Sequence, residues 1–296
     1  MNRVTLSYYP WIKQGISAAD LRTAVDKFAH VLQAALGNAL TVDLQNVMEI
    51  PEQLEDMKRP PANDVVGRIG LLNPIGYALI RREPGVEGIA VIRRKIGADI
   101  GPTYKAQLYT NWKSKITKVS EVRGRSIAFG SPQSTSNFLV PAMRLWEAKI
   151  HPLNGFNRVE FAGGHDTAAV AVYEGRLEVG AGHDGAVLGL AARRGYRDAG
   201  DVLVNIDWSD PIPSDPVAIQ TADPVVRKQV TDALLAIAKP NDKTSAGNVA
   251  VRGFWDTDEG FEPIAPNAQI KAETYDTLSA IMEKMGLRRD DMLRKM

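Results

Sequence analysis

Apolar positions change spacing several times along the chain, and each change marks an element. Near the N-terminus "RVTLSYY" is a short apolar and β-branched run that predicts a strand. In "SAADLRTAVDKFAHVLQAALGN" the apolar Leu21, Val25, Phe28, Leu32 and Ala35 recur at helical spacing, which predicts an amphipathic helix facing a core. Ser17 stands at its N-cap, Asp20 at the capping-box position and Gly37 just past its end. "LTVDLQNV" reads as the next strand and "IPEQLEDM" as a short helix. "DVVGRIGLL", "VEGIAVIRR" and "YKAQLYTNW" add β-rich runs separated by helical or turn segments.

After residue 110 the pattern restarts. A helix is expected near Val119 to Val122, then strand "RSIAFG", then a helix from a Ser/Thr cluster to Lys149, with Pro141 set to kink or restart it. Strand "NRVEFAGG", helix "DTAAVAVYEG" and strand "LEVGAG" follow. Strands alternating with helices predict a parallel or mixed sheet covered on both faces, and the count predicts two of them. "DVLVNIDWSDPIPSDPVAIQ" is a Pro-punctuated extended segment. It leads into helix "DPVVRKQVTDALLAIAK", capped by Asp223 with Pro224 at its first position. The last strong helix, "KAETYDTLSAIMEKMG", puts Tyr275, Leu278, Met282 and Met285 on one face.

A chain of 296 residues favours about two compact units, and 44% hydrophobic with 24% charged residues is the composition of a globular protein. With 36 Lys plus Arg against 35 Asp plus Glu, the formal charge is +1, so no general pull toward nucleic acid or membrane is encoded. The short clusters Arg81-Arg82, Arg93-Arg94-Lys95 and Arg193-Arg194 read as solvated surface. Cysteine is absent, which excludes disulfides, thiolate metal sites and a cysteine nucleophile. No apolar run reaches the roughly 18 to 20 residues that span a bilayer, and "MNRVTLSYYPW" has no apolar signal core. The expectation is a mature periplasmic chain without its signal peptide, or a cytoplasmic protein.

Four histidines can be taken singly. His30 falls within the first helix and His151 in a turn before Pro152, where both read as structural. His165 and His183 each follow an apolar strand in a Gly-His-Asp triplet, "FAGGHD" and "VGAGHD", and strand ends are where open α/β sheets present ligand groups. The two His-Asp pairs lack helical HxxxH or HxxE spacing, so no metal site is expected. A triad of Ser134, His165 and Asp215 lacks a G-x-S-x-G elbow, and neither GxxxxGK[ST] nor GxGxxG is present. No cofactor is expected.

That leaves "GSPQSTSNFLVP". One hydroxyl suffices to cap a helix, whereas Ser134, Thr135 and Ser136 are three in a row. A helix N-terminus already offers unpaired N–H groups and about half a positive charge, so three added O–H donors suit a tetrahedral oxyanion.

With these residues in view, the sequence resembles the substrate-binding proteins of phosphate, phosphite and phosphonate ABC transporters. "GRSIAFGSPQSTSNFLVP", "FAGGHDTAAVAVYEGRLEVGA" and "SDPIPSDPVAI" are similar to the family's signatures in order. "LLNPIGYALI" resembles its G-P-x-x-Y turn, with Asn73 in place of Gly and Tyr77 as the tyrosine, and "GPTYKAQL" the segment with a ligand-facing Tyr104. Residues 1 to 60 and those after 225 match weakly.

The resemblance implies a type II periplasmic-binding fold, two α/β lobes with mixed sheets joined by two crossover strands and ligand in the cleft between them. It places lobe 1 at 1–108 plus 213–296 and lobe 2 at 109–212, with crossovers near Leu108 to Trp112 and Asp207 to Asp215. It implies that Ser134, Thr135 and Ser136 hold phosphoryl-type oxygens, that His165 donates, that Tyr104 hydrogen-bonds from the other lobe and that Asp215 accepts. Asp184 lies near where an acid neutralises the amine of an aminoalkylphosphonate. The implied partners are a small oxyanion and a membrane permease, with a monomeric, non-enzymatic protein. A sensory module for a kinase, or an enzyme on the same fold, are the alternatives.

Chemistry supports those roles independently. Fixed dipoles of hydroxyls and backbone N–H groups can replace the water around a doubly charged oxyanion without a lysine. An accepting Asp215 favours a ligand that carries a P–OH, which sulfate lacks near neutral pH. Two departures stand out: "NVMEIPEQL" lacks the aromatic of alkylphosphonate binders, and Asn137 replaces a common Gly after the hydroxyls. The absence of cysteine sets the chain apart from arsenite-binding relatives.

Overall fold

The computed structural model describes residues 2–10, 17–96 and 98–286. They divide into two compact units, the first of residues up to 103 together with 213–279, the second of residues 104–212 with 280–286. The chain therefore passes from first to second unit at Thr103/Tyr104 and back at Ile212/Pro213. The outer limits expected at residues 1 and 296 lie outside the described residues.

The first unit begins with β1 (Arg3–Tyr8), α1 (Ala18–Leu36), β2 (Thr41–Leu44), α2 (Ile50–Lys58), β3 (Val65–Leu71), α3 (Pro74–Ile80) and β4 (Val86–Ile92). A small hairpin of β5 (Arg94–Ile96) and β6 (Asp99–Gly101) precedes β7 (Thr103–Tyr104), where the chain enters the second unit. There follow β8 (Ala106–Asn111), β9 (Ser126–Phe129), a π-helical turn (Thr135–Leu139), α4 (Val140–Glu147), β10 (Arg158–Phe161), α5 (His165–Tyr173) and β11 (Val179–His183). Next come α6 (Ala186–Ala191), α7 (Ala199–Val202), β12 (Leu203–Trp208) and β13 (Ile212–Pro213), which carries the chain back. The first unit is completed by β14 (Pro216–Gln220), α8 (Pro224–Ile237), α9 (Ala246–Trp255) and β15 (Phe261–Pro263), and α10 (Asp276–Lys284) follows.

The first sheet has the order β15-β4-β14-β3-β1-β2. β1 is parallel to β2 and β3, while β14 runs antiparallel to β3 and β4, and β15 antiparallel to β4. The second sheet has the order β10-β9-β11-β8-β12, with β10, β9 and β11 parallel and β8 antiparallel to both β11 and β12. Each is a mixed sheet of the kind the strand-helix alternation predicts.

Both faces of the second sheet are covered at its central strands. On β9, Ile127 and Phe129 join one core with Leu108 and Val179, while Ala128 joins another with Tyr109, Ala168 and Leu190. In the first unit Leu21, Val25, Phe28 and Leu32 of α1 pack on Val4 and Leu6 of β1 and on Val251, Phe254 and Trp255 of α9. The capping box of Ser17 and Asp20 and the Asp223 cap of α8 are formed as expected.

Three expectations are corrected. Leu108 to Trp112 is not a crossover: Ala106–Asn111 is a fully buried strand inside the second sheet, hydrogen-bonded on both sides, so the passage lies earlier, at β7. Tyr104, placed in lobe 1 by the sequence reading, consequently groups with the second unit. The helix expected from the hydroxyl cluster to Lys149 opens as a π turn and restarts as α4 around Pro141, as that proline leads one to expect; the carbonyl of Asn137, four residues before it, is taken by the N–H of Gly130 at 3.2 Å.

The basic clusters are also not simply solvated. Each contains paired arginines: Arg81 and Arg82 both on Asp276, Arg193 on Asp166, and Arg94 on Asp215. Arg93 pairs with Glu262 as well.

Candidate functional site

Three neighbouring parallel strands of the second unit end on one edge of their sheet, and the loops leaving them carry most of the expected ligand groups. β9 ends at Phe129 and leads to the hydroxyl turn, β10 ends at Phe161 and leads to His165, and β11 ends at His183 next to Asp184. Backbone bonds tie the first two loops together: the N–H of Ala162 donates to the carbonyl of Phe129 at 2.8 Å, and that of Gly163 to Gly130 at 2.9 Å.

Ser134 is the N-cap, its hydroxyl accepting the N–H of Asn137 at 3.1 Å. The carbonyl of Ser134, which in an α-helix would take the N–H of Phe138, takes that of Leu139 at 3.0 Å. The turn is thereby one residue wider than α-helical, and of the five N–H groups ahead of its first bond those of Ser134 and Asn137 are paired locally, with Ser131 and Ser134. Thr135 and Ser136 are buried. This is a concentration of N–H and O–H dipoles at the positive end of α4.

His165 starts α5, with Gly164 at the N-cap. Its Nδ1 accepts the backbone N–H of His183 at 3.2 Å, which assigns the ring proton of the neutral imidazole to Nε2. His183 is held in the same tautomer, its Nδ1 accepting the N–H of Gly185 at 2.9 Å. The two rings meet edge to face with centroids 4.5 Å apart. A neutral imidazole fixed this way donates one hydrogen bond from Nε2 without adding charge.

Asp184 is clamped to the start of the second unit. One carboxylate oxygen accepts the N–H of Lys105 at 2.8 Å, and its own N–H donates to the Lys105 carbonyl at 2.9 Å. Tyr104 is buried on β7, just ahead of that clamp. The second unit thus brings together Ser134, Thr135, Ser136, His165 and Asp184, and adds His183.

The first unit has its own polar edge. Asn73 leaves the C-terminal end of β3 and caps α3, its Oδ1 accepting the N–H of Gly76 at 2.8 Å. Asp215 precedes β14, which runs antiparallel beside β3, so both residues stand at the same edge. Tyr77 points elsewhere. Its hydroxyl accepts the N–H of Gly88 on β4 at 2.8 Å, and its ring packs edge-on to Tyr275 at 4.9 Å. Gly88 permits this approach, since a Cβ there would stand 2.7 Å from the hydroxyl oxygen. Burial raises the Tyr77 hydroxyl above the ordinary tyrosine range.

The sequence reading missed the partner of Asp215. Arg94 donates from one terminal nitrogen to its carboxylate at 2.6 Å and from Nε to the hydroxyl of Ser214 at 3.0 Å. Burial pushes the Asp215 carboxyl up from the usual carboxylate range, and Arg94 opposes that shift. Asp215 is therefore a compensated acceptor rather than a lone charge. Among the described residues no cluster of three or more His, Asp or Glu could hold a metal ion, and no helix is long and apolar enough to cross a membrane.

A model of the family described as "ABC transporter, phosphonate, periplasmic substrate-binding protein" matches residues 15–267. The chain belongs to that family. It is accordingly a transport substrate-binding protein, with a small ligand and a membrane permease as the partners its family implies. Solved structures agree in fold. PhnD1 from Prochlorococcus marinus (MIT 9301), in complex with methylphosphonate, is 15% identical, with 96% of this chain and 98% of that one covered at a TM-score of 0.70. XAC2383 from Xanthomonas citri, bound to chloride ion, is 17% identical with the same shares covered at a TM-score of 0.71. A binding protein component of an ABC phosphonate transporter from Pseudomonas aeruginosa is 16% identical, covering 97% and 96% at a TM-score of 0.64. These likenesses establish the periplasmic-binding architecture expected from the sequence.

Proposed function

We propose that this protein captures a small phosphorus oxyanion, a phosphonate foremost, in the periplasm and delivers it to the permease of an ABC transporter. The observation that carries this reading is the shared edge of the second sheet, where three hydroxyls, the widened N-terminal turn and the Nε2–H of His165 supply donors from one unit. Such a set suits a tetrahedral oxyanion, because preorganised neutral dipoles hold charge without a bound lysine. Membership of the phosphonate family supports the choice of phosphorus, and a relative of this fold holds methylphosphonate.

In this reading Ser134, Thr135 and Ser136 receive the phosphoryl oxygens and His165 donates to one of them. Tyr104 adds a hydroxyl donor, and Asp215 accepts a proton from P–OH. With Arg94 beside it, Asp215 does this without an uncompensated negative charge facing the anion, and it still discriminates against sulfate. Asn73 acts indirectly, by capping α3 at the edge that carries Asp215, and Tyr77 serves the fold. Asp184, next to His183 and held on the backbone of Lys105, serves an amine on the fourth substituent. The protein works as a monomer and catalyses no reaction.

Thermal unfolding in the presence of methylphosphonate, phosphite, phosphate, 2-aminoethylphosphonate and sulfate tests the reading. A ligand at 100 times its dissociation constant stabilises the native state by about 2.7 kcal/mol. A shift with at least one phosphorus oxyanion and none with sulfate is expected. No shift with any phosphorus compound, in folded and ligand-free protein, overturns it.

A further inference from the structure

Asn137 follows the three hydroxyls, and its surroundings are unusual. The residue is 0% exposed, and among the described residues neither Nδ2 nor Oδ1 of its amide has a hydrogen-bond partner. Its backbone, by contrast, closes the turn at both ends: the carbonyl accepts the N–H of Gly130 at 3.2 Å and the N–H donates to the hydroxyl of Ser134 at 3.1 Å. The amide lies against Gly130, where a Cβ would come within 2.3 Å of Nδ2. Gly130 is thus glycine because the Asn137 amide occupies the space of its side chain.

A buried amide with both polar atoms unpaired is costly, and a leucine of nearly the same shape would fill the space without that cost. Polar groups kept at such a cost belong to sites where the missing partner arrives later. Asn137 directly follows Ser136 in the π turn that presents Thr135 and Ser136 and is capped by Ser134. We propose that the Asn137 amide is a further specificity-determining group of the oxyanion site, its Nδ2–H donors completed by an oxygen of the bound anion. This rests on the phosphorus-oxyanion reading above and adds a donor to it. An amide is uncharged and donates whatever the ligand's ionisation, so it adds affinity for oxyanions without narrowing the pH range.

The test is Asn137→Leu, read by unfolding of the ligand-free protein and by calorimetry with methylphosphonate, phosphite and phosphate. The ligand-free variant is expected to melt at or above the wild-type temperature, because two unpaired polar atoms are gone. Its affinity is expected to fall by about tenfold or more, the loss of one hydrogen bond to a charged group. Asn137→Asp, which keeps the shape and sets a carboxylate on the anion, is expected to bind more weakly than Asn137→Leu. Gly130→Ala displaces the amide without removing it and is expected to weaken binding as well.

If Asn137→Leu binds as tightly as wild type, the amide is not part of the site. If ligand-free Asn137→Leu melts well below wild type, the amide is paired within the fold and its role is structural, which also overturns the proposal. Wild-type protein that binds none of the three oxyanions would bring down the phosphorus reading and this inference together. Binding by wild type with no change in the variants brings down this inference alone.

Discussion

Removing the hydroxyls of Ser134 and Thr135 separates the two jobs assigned to the turn. Ser134 accepts one backbone N–H, at 3.1 Å from Asn137, so Ser134→Ala costs the fold a cap worth about 1 kcal/mol. In a protein this size that is a fall of roughly 2 to 4 °C in melting temperature. The same change with Thr135→Ala removes two donors to a charged ligand, each worth about 1.5–3 kcal/mol. Together that is about 3–6 kcal/mol, or roughly two to four powers of ten in affinity. Calorimetry with methylphosphonate and urea unfolding of the ligand-free double variant give both numbers. A double variant that keeps its affinity within about twofold would refute the assignment of the turn. A double variant that no longer folds would refute the claim that Ser134 contributes only a cap.

Arg94→Met strands the buried Asp215 carboxylate, and breaking a buried pair costs about 3–5 kcal/mol. The folded-state pKa of Asp215 already lies above its unfolded value, so the folded protein holds that proton more tightly, and stability falls as pH rises from the unfolded value through the folded one. Urea titrations of Arg94→Met should show a larger deficit at pH 8 than at pH 5, and an equal deficit at both would contradict the buried pair. Tyr77→Phe leaves the N–H of Gly88 without its acceptor, a loss of about 1–3 kcal/mol in stability with oxyanion affinity unchanged, measured by unfolding and calorimetry.

How far the sequence could be read depended on where each residue's partner lay along the chain. Local signals were legible: Ser17 with Asp20, Asp223 with Pro224, and the apolar face of α1 each declare themselves within one or two turns. The hydroxyl turn was legible for the same reason. Helix α9 was not, because "AGNVAVRGFW" carries two interior glycines that argue against a helix. Both are packing requirements from distant residues: a Cβ at Gly247 would lie 1.7 Å from the Ile237 carbonyl, and one at Gly253 would press on Ala24 at 3.0 Å.

Arg94 was misread on similar grounds. Three consecutive basic residues look solvated, and the acid that buries one of them is 121 positions away. The crossover was misplaced because β8 carries the polar Gln107, Thr110 and Asn111, all buried, and so does not read locally as a central strand. At Asn137 the departure from glycine was visible, but its unpaired burial against Gly130 was not.

The central claim is that the hydroxyl turn and its neighbours bind a phosphorus oxyanion through neutral donors. Calorimetric titration of the wild-type protein with methylphosphonate, beside sulfate under the same buffer, tests it most directly. The account predicts saturable one-to-one binding of methylphosphonate and none of sulfate. Equal affinity for the two, or no heat and no stabilisation with methylphosphonate, phosphite or phosphate, would contradict it.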